Sequence, residues 1–326
     1  MVVVCHAAFF VGYDPSLWHQ TALFLWLHGA NLGVQLFFVL SGMVIFSAHR
    51  TDIGHPTKLR AFLWKRFRRI YPLYWIFFLA TVLWHHSVSS SSDSYQRDPW
   101  VIASGAVLFH LFSTETNMVV AWTLFDEVMF YLCFSTLLIN KRLGAMILAA
   151  WVSASFFFLF HSGSYWPVFF APDHILFALG MLVAWLLEKG SILQPRVVLF
   201  TGVTIFFICV VILGHLTNGT TVRLFAGLGA ACGLLGAVNL ERRGEWLMPS
   251  WIVLLGDASY SIYLAHFMVV STIAHFVFRH VHYLHVPNLV WMAALVFSGV
   301  GAGLLTYILI ERPLLRNLSN RDWFSN

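Results

Sequence analysis

A single-domain, all-α polytopic membrane protein is the fold class this sequence predicts, on three observations. Hydrophobic residues make up 59% of the 326 positions and charged residues only 10%, where a soluble domain carries about 25% charged residues. Mean hydropathy is +0.77. Apolar segments recur along the whole chain, and in lipid only helices or closed barrels satisfy their own backbone polar groups.

The apolar segments run over roughly 2–12, 29–48, 71–85, 99–113, 120–139, 143–160, 173–187, 196–214, 221–239, 250–278 and 288–310. A span needs about 20 such residues. Segment 2–12 supplies about 16 Å of helix against a hydrocarbon core of about 30 Å. It lacks the basic start and small-residue cleavage site of a signal peptide. It is therefore expected to be a truncated first span, with the natural reading frame beginning upstream of Met1. Segment 99–113 is short and holds His110, and is expected to be re-entrant or interfacial. Ten spans remain, with both termini cytoplasmic.

Charge sets that orientation. Seven of the 19 basic residues (Arg50, Lys58, Arg60, Lys65, Arg66, Arg68 and Arg69) fall in the connector between the second and third spans. Cytoplasmic loops carry the Lys/Arg excess. With this connector inside, Lys141, Arg142, Lys189, Arg196, Arg242, Arg243, Arg312, Arg316 and Arg321 also fall inside, and only Arg97, Arg223 and Arg279 outside. The Ser-rich stretch 87–94 becomes a flexible outer loop. A net charge of +5 thus reflects membrane orientation. Partners are the lipid bilayer and no nucleic acid, because base-reading motifs are lacking. The four cysteines lie in apolar runs and read as small core hydrophobes.

Polar residues inside spans carry the functional information, since each is unfavourable there. His6 lies in the first span, and Asp126 and Glu127 lie near the outer end of the fourth. Neighbouring helix positions differ by about 100°, so the two carboxylates are not expected to face one cavity. Ser259, Tyr263 and His266, spaced i, i+4, i+7, share one face of the ninth span. Intramembrane His6, Asp126, Glu127 and His266 would suit the proton relay of a coupled transporter, although the inverted repeat and paired broken spans of such transporters are not visible. The spacing His280-x-His282-x-x-His285 could hold a metal. Interfacial histidines in a chain with 16 of them need none, and no metal is expected.

In order along the chain, these residues resemble the membrane acyltransferase 3 family. Its first-span histidine corresponds to His6. Its Gly-Val-Asp-Leu-Phe-Phe-Val-Leu-Ser-Gly element is similar to Gly33–Gly42, which includes Ser41. Its Arg-x-x-Arg-Ile-x-Pro-x-Tyr element is matched by Arg66, Arg69, Ile70, Pro72 and Tyr74. Its Trp-Ser/Thr-Leu-x-x-Glu-x-x-Phe-Tyr element is matched by Trp122, Thr123, Leu124, Glu127, Phe130 and Tyr131. Its Ser-Tyr-x-x-Tyr-Leu-x-His element is matched by Ser259, Tyr260, Tyr263, Leu264 and His266, and its closing Glu-Arg-Pro by Glu311, Arg312 and Pro313. Two departures stand out. Gln35 replaces a frequent Asp, and the cation that usually precedes the first-span histidine by about eleven residues is absent, which by the resemblance implies either a misplaced start or an inactive polypeptide.

The resemblance implies an integral-membrane O-acyltransferase of the bacterial inner membrane. It would move an acyl group, most often acetyl, from cytoplasmic acyl-CoA to a hydroxyl of a lipid-linked or exported carbohydrate. His6 is the expected general base, His266 the competing one, and Glu127 the group that orients a histidine or binds sugar hydroxyls. Arg66 and Arg69, one helical turn apart, are expected to grip the phosphates of CoA. Ser259, Tyr263, Ser41 and Tyr74 are candidates for the oxyanion or substrate contacts. Direct transfer and a covalent intermediate both stay open. The rival readings are a proton-coupled transporter and a structural subunit of a glycan-export complex.

The charge pattern makes one direct prediction. A cysteine placed at Ser90 should react with an impermeant thiol reagent only from outside, and one at Lys141 only from the cytoplasm. The reverse labelling would overturn the topology.

Overall fold

The computed structural model describes residues 1–12, 27–87, 94–110, 115–160, 168–190, 192–214, 219–280 and 286–319, and among them no strand occurs. In chain order the α-helices are α1 (Val2–Gly12), α2 (Gly33–His49), α3 (Leu59–Ser87), α4 (Pro99–Val107), α5 (Trp122–Ile139), α6 (Lys141–Phe160) and α7 (Ile175–Lys189). There follow α8 (Pro195–Phe207), α9 (Thr220–Arg242), α10 (Ser250–Asp257), α11 (Ser259–His280), α12 (Asn288–Thr306) and α13 (Arg312–Ser319). Helix α8 continues as a π-helical turn over Ile208–Leu213, and α12 does so over Tyr307–Glu311.

Among the described residues six stretches are long and apolar enough to cross a bilayer: Gly29–Asp52, Val119–Ile139, Lys141–Phe160, Pro195–Leu213, Thr220–Arg242 and Asn288–Leu318. The chain is thus a multi-pass membrane protein. The apolar segment 250–278 is two helices, not one. Ala258 interrupts it, and its carbonyl accepts the first hydrogen bond of α11 from the Ile262 N–H at 2.9 Å. Together α10 and α11 can count as a seventh span. The expected span 71–85 lies within α3, which starts twelve residues earlier and winds the basic connector residues Arg60 to Arg69 into its first turns.

Helix α4 has only 9 residues, about 14 Å by helical rise, so it cannot cross alone. Its ends explain how it can stop in apolar surroundings. Asp98 caps its start by accepting from the Trp100 N–H at 2.8 Å. At its other end Leu108 turns into the left-handed region, with φ 51°. The exposed carbonyls of the last turn are then taken up by one face of α3. Tyr74 Oη donates to Gly105 at 2.9 Å, Trp75 Nε1 to Ala106 at 2.8 Å and Tyr71 Oη to Val107 at 2.8 Å. A helix end without such partners is strongly unfavourable in lipid.

The residues form two compact units. The first comprises Met1–Asp52, Leu148–Gly256 and Ile273–Val296. In it α9 packs against α2, α7 and α8, and α2 packs against α7. Small residues let these backbones approach, as is general where the hydrophobic effect cannot drive helices together. A Cβ on Gly42 of α2 would lie 2.1 Å from the Phe177 carbonyl oxygen, and one on Gly180 of α7 would lie 2.0 Å from that of Val39. Between α8 and α9, a Cβ on Gly202 would lie 2.2 Å from the Gly233 nitrogen. Basic residues also tie helix ends here: Arg50 pairs with Glu188 and Arg196 with Glu245, each at 2.8 Å.

The second unit comprises Ile53–Ile147, Asp257–Thr272 and Phe297–Asn326. Helix α3 is its spine, packed against α4, α5 and α13. Gly54 (φ 82°) brings the connector ahead of α3 back onto α5, its N–H donating to the Leu137 carbonyl at 3.0 Å. Asn140 caps the start of α6 through the Arg142 and Leu143 N–H groups at 2.9 and 3.1 Å.

Gly42→Val and Gly180→Val should each force α2 and α7 apart. Overpacking of this kind destabilises by about 1–3 kcal/mol or more, to be read as a lower melting temperature in detergent. Gly301→Ala, where a Cβ meets no atom within 4 Å, should leave it unchanged or raise it slightly.

Candidate active site

Within the second unit, three sequence elements that are far apart in the chain meet at the basic end of α3. Arg69 Nη1 donates to Glu311 Oε1, across a sequence separation of 242 residues. Ser261 Oγ donates to the other carboxylate oxygen, Oε2, at 2.6 Å. Glu311 is 1% exposed, and it ends the π-helical turn that follows α12. Turns of this type are rare and are frequent at functional positions. The Tyr260 ring lies under the Arg69 guanidinium at 5.4 Å, and Tyr260 Oη donates to the Ile70 carbonyl at 2.7 Å. Arg69 still exposes 37% of its side chain.

One turn back on α3, Arg66 has different neighbours. Its guanidinium stands 5.8 Å from the Phe62 ring and 5.7 Å from the Tyr131 ring. Tyr131 Oη in turn donates to Glu127 Oε1. The two arginines therefore lie on one side of α3, as their spacing requires, yet Arg69 pairs with Glu311 whereas Arg66 lies against the Phe62 and Tyr131 rings. Asp126 and Glu127 are both buried. The 100° between them does not expose either, because α5 is packed on most sides, with 67% of its span buried.

Helix α11 contributes the next cluster. Tyr263 Oη donates to the Val120 carbonyl at 2.7 Å and accepts from Thr123 Oγ1 at 2.7 Å. His266 is fully buried, its ring centroid 5.9 Å from that of Tyr263. Its Nδ1 lies 2.9 Å from the Ile262 carbonyl. A carbonyl only accepts, so Nδ1 carries the proton and Nε2 keeps the basic lone pair. Ser259, at the first position of α11, is exposed, so it does not join Tyr263 and His266 despite sharing their helical register. Tyr74 is buried, with its hydroxyl proton directed to Gly105.

In the first unit, His6 lies half-buried in α1 and Ser41 half-buried in α2, beside Gly42. This unit also holds a polar group that the sequence does not announce. Gln35 Nε2 donates to Asp173 Oδ1 at 3.3 Å, and Asp173 Oδ2 pairs with Arg223 Nη1 at 2.8 Å. Asp173 is 3% exposed. The amide at position 35 thus meets a carboxylate, a partner that an Asp there would repel. Of the His280-x-His282-x-x-His285 spacing, His282 and His285 lie outside the described residues. Among the described residues no three His, Cys, Asp or Glu side chains gather as a metal site.

Sequence reasoning passed over Glu311, Ser261, Tyr260 and Tyr131 as site residues, although each sits in or beside a quoted motif element. A usable signal was present for Glu311, a carboxylate closing an apolar run. None pointed to Ser261, whose role appears only with its partner.

The profile of one family, described as an acyltransferase domain, matches residues 1–308. The chain belongs to this acyltransferase 3 family and is an O-acyltransferase. Among relatives it is 28% identical over 307 residues to the exopolysaccharide production protein ExoZ of Rhizobium meliloti (strain 1021), covering 87% of this chain and 89% of that one. A Staphylococcus aureus (strain MRSA252) protein named as an O-acetyltransferase, SAR0937, is 26% identical over 346 residues, covering 92% of this chain but 55% of the relative. The chain thus spans about half the length of that protein. A Bacillus subtilis (strain 168) protein named as a peptidoglycan O-acetyltransferase, YrhL, is 29% identical over 145 residues, 38% of this chain and 23% of the relative. No solved structure matches.

The Arg69–Glu311 pair has a consequence for stability. Arg69→Ala should leave a buried carboxylate without its counter-charge and lower stability by about 1–3 kcal/mol, less than a fully buried pair because Arg69 is partly exposed. Arg69→Met combined with Glu311→Leu should recover most of that loss. Thermal unfolding in detergent measures both. A double variant no more stable than Arg69→Ala would contradict the pairing.

Proposed function

We propose that this O-acyltransferase moves an acetyl group from cytoplasmic acetyl-CoA to a hydroxyl of a lipid-linked or exported glycan in the bacterial inner membrane. The chain would cross ten times, with both termini in the cytoplasm. The observation that carries this reading is the family match over residues 1–308. ExoZ, named for exopolysaccharide production, and YrhL, named for peptidoglycan, support a carbohydrate acceptor. Membership of an acyltransferase family displaces the transporter and structural-subunit readings.

In the proposed reaction the acceptor oxygen attacks the thioester carbonyl, the C–S bond breaks and CoA leaves as thiolate. An imidazole takes the hydroxyl proton and returns it to the thiolate sulfur. His6 is the proposed base. His266 is the second candidate, because its Nδ1 contact to Ile262 leaves Nε2 as the proton acceptor. Arg66 and Arg69 would bind the donor phosphates. Glu127 would orient the imidazolium or the sugar hydroxyls. Ser259, Ser41, Tyr263 and Tyr74 are the candidate contacts to the developing oxyanion or the substrate.

The test uses the protein in proteoliposomes with radiolabelled acetyl-CoA and glycan from the producing cells. Label should appear on glycan hydroxyls. His6→Ala should lower the rate by about 10²–10⁴-fold with acetyl-CoA binding nearly intact. Arg66→Ala should weaken acetyl-CoA binding about ten- to a hundred-fold. If His6→Ala keeps more than about a tenth of the rate while His266→Ala loses it, the base is His266.

A further inference from the structure

Helix α3 divides its basic first half between two faces. One face holds Phe62, Arg66, Arg69 and Leu73. Phe62 and Leu73 are buried there, Arg69 pairs with Glu311 and Arg66 lies against the Tyr131 ring. The other face holds Arg60, Trp64, Phe67, Tyr71 and Trp75. Their spacing, i, i+4, i+7, i+11 and i+15, makes one stripe. Its rings stack in series, Trp64 on Phe67 at 5.6 Å and 17°, and Phe67 on Tyr71 at 5.1 Å and 19°. Helix α4 meets the far end of the stripe, where Tyr71 and Trp75 bond its last carbonyls. Towards the start of α3 the stripe borders a groove of about 450 Å³, lined by Leu59, Arg60, Leu63, Trp64 and Phe67. Leu63 is 38% exposed.

Length and charge both point to an occupant. Eleven residues separate Arg60 from Tyr71, about 16 Å of helix. Half of a hydrocarbon core is about 15 Å. The stripe below α4 therefore matches the chains of one leaflet, with a cation at its outer limit. Lys58, Arg60 and Lys65 are exposed, and no Asp or Glu occurs from residue 53 to residue 92. The field over the mouth of the groove is thus positive. Basic sites at a membrane edge attract anionic lipid headgroups.

We propose that this groove binds one anionic phospholipid of the leaflet that borders the basic connector, with the phosphate on Arg60 and an acyl chain along Leu63, Trp64 and Phe67. The proposal goes beyond acyl transfer and needs only the multi-pass membrane character of the chain. The chemistry favours a lipid over a nucleotide donor. Apart from Arg60 the groove is lined by apolar side chains, and Arg66 and Arg69 lie on the other face of the helix.

The test uses the full chain in a neutral detergent. Palmitoyl-oleoyl phosphatidylglycerol, or phosphatidylcholine with the same chains, is titrated in, and bound lipid is counted by native mass spectrometry. One phosphatidylglycerol should bind about fivefold or more tightly than phosphatidylcholine. Arg60→Gln should erase that preference, and Arg60→Lys should keep it, which tells loss of the cation from loss of the fold. Leu63→Trp should weaken both lipids several-fold, because the indole fills the groove. Lys65→Gln, about 140° round the helix from Arg60, should leave both affinities within about twofold. Equal affinity of the unaltered protein for the two lipids would overturn the proposal, as would Lys65→Gln losing as much as Arg60→Gln, or unchanged binding in Leu63→Trp. Glycerol phosphate competing as well as the intact lipid would show an anion site without a chain and overturn it too. Displacement of phosphatidylglycerol by CoA that is lost in Arg60→Gln would give the groove to the donor instead.

Discussion

Burying the Glu311 carboxylate at 1% exposure in so apolar a chain demands a counter-charge and hydrogen-bond donors, because an ion withdrawn from water without them is unfavourable by several kcal/mol. Arg69 supplies the charge and Ser261 the second donor. Meeting that demand fixes much else in the second unit. Helix α3 must present Arg69 to the end of α12, and α11 must bring Ser261 to the opposite carboxylate oxygen. Tyr260, next to Ser261, then falls under the Arg69 guanidinium. Three motif elements that are unrelated in position along the chain are thus parts of one ionic contact.

The same logic governs backbone groups. Helix α4 ends after 9 residues, and its last carbonyls would be unsatisfied in hydrocarbon. Tyr71, Tyr74 and Trp75 of α3 answer them one by one. This assignment also gives the motif tyrosine at position 74 a structural duty beside any chemical one. In the first unit the constraint is closeness rather than charge. Gly42 and Gly180 allow α2 and α7 into backbone contact, and the Gln35–Asp173–Arg223 chain joins the starts of α2 and α9 by polar contacts.

Chemically, the second unit arranges its ionisable groups in order along α3 and α5. Arg69 meets Glu311, Arg66 meets the Tyr131 ring, and Tyr131 meets Glu127. For the proposed transfer, this order separates groups suited to an anionic donor from the carboxylate suited to hydroxyl chemistry.

Much of this was legible in the sequence. Composition and the recurrence of apolar runs determine an all-helical multi-pass protein, since no other arrangement satisfies backbone groups in lipid with such segments. The turn-spaced pair Arg66 and Arg69 is read off correctly as sharing a helical side, because α3 extends through the basic connector. The ordered motif elements identify the acyltransferase family. Tertiary structure alone decided the rest. Apolar periodicity says where a helix lies, not that Ala258 divides α10 from α11. Helical register places Ser259 with Tyr263 and His266, but neighbouring elements leave Ser259 exposed and the other two engaged. Partnerships such as Arg69 with Glu311, 242 positions apart, arise from packing between distant helices. Local sequence reports spacing within one helix and carries no term for which distant carboxylate a guanidinium will meet.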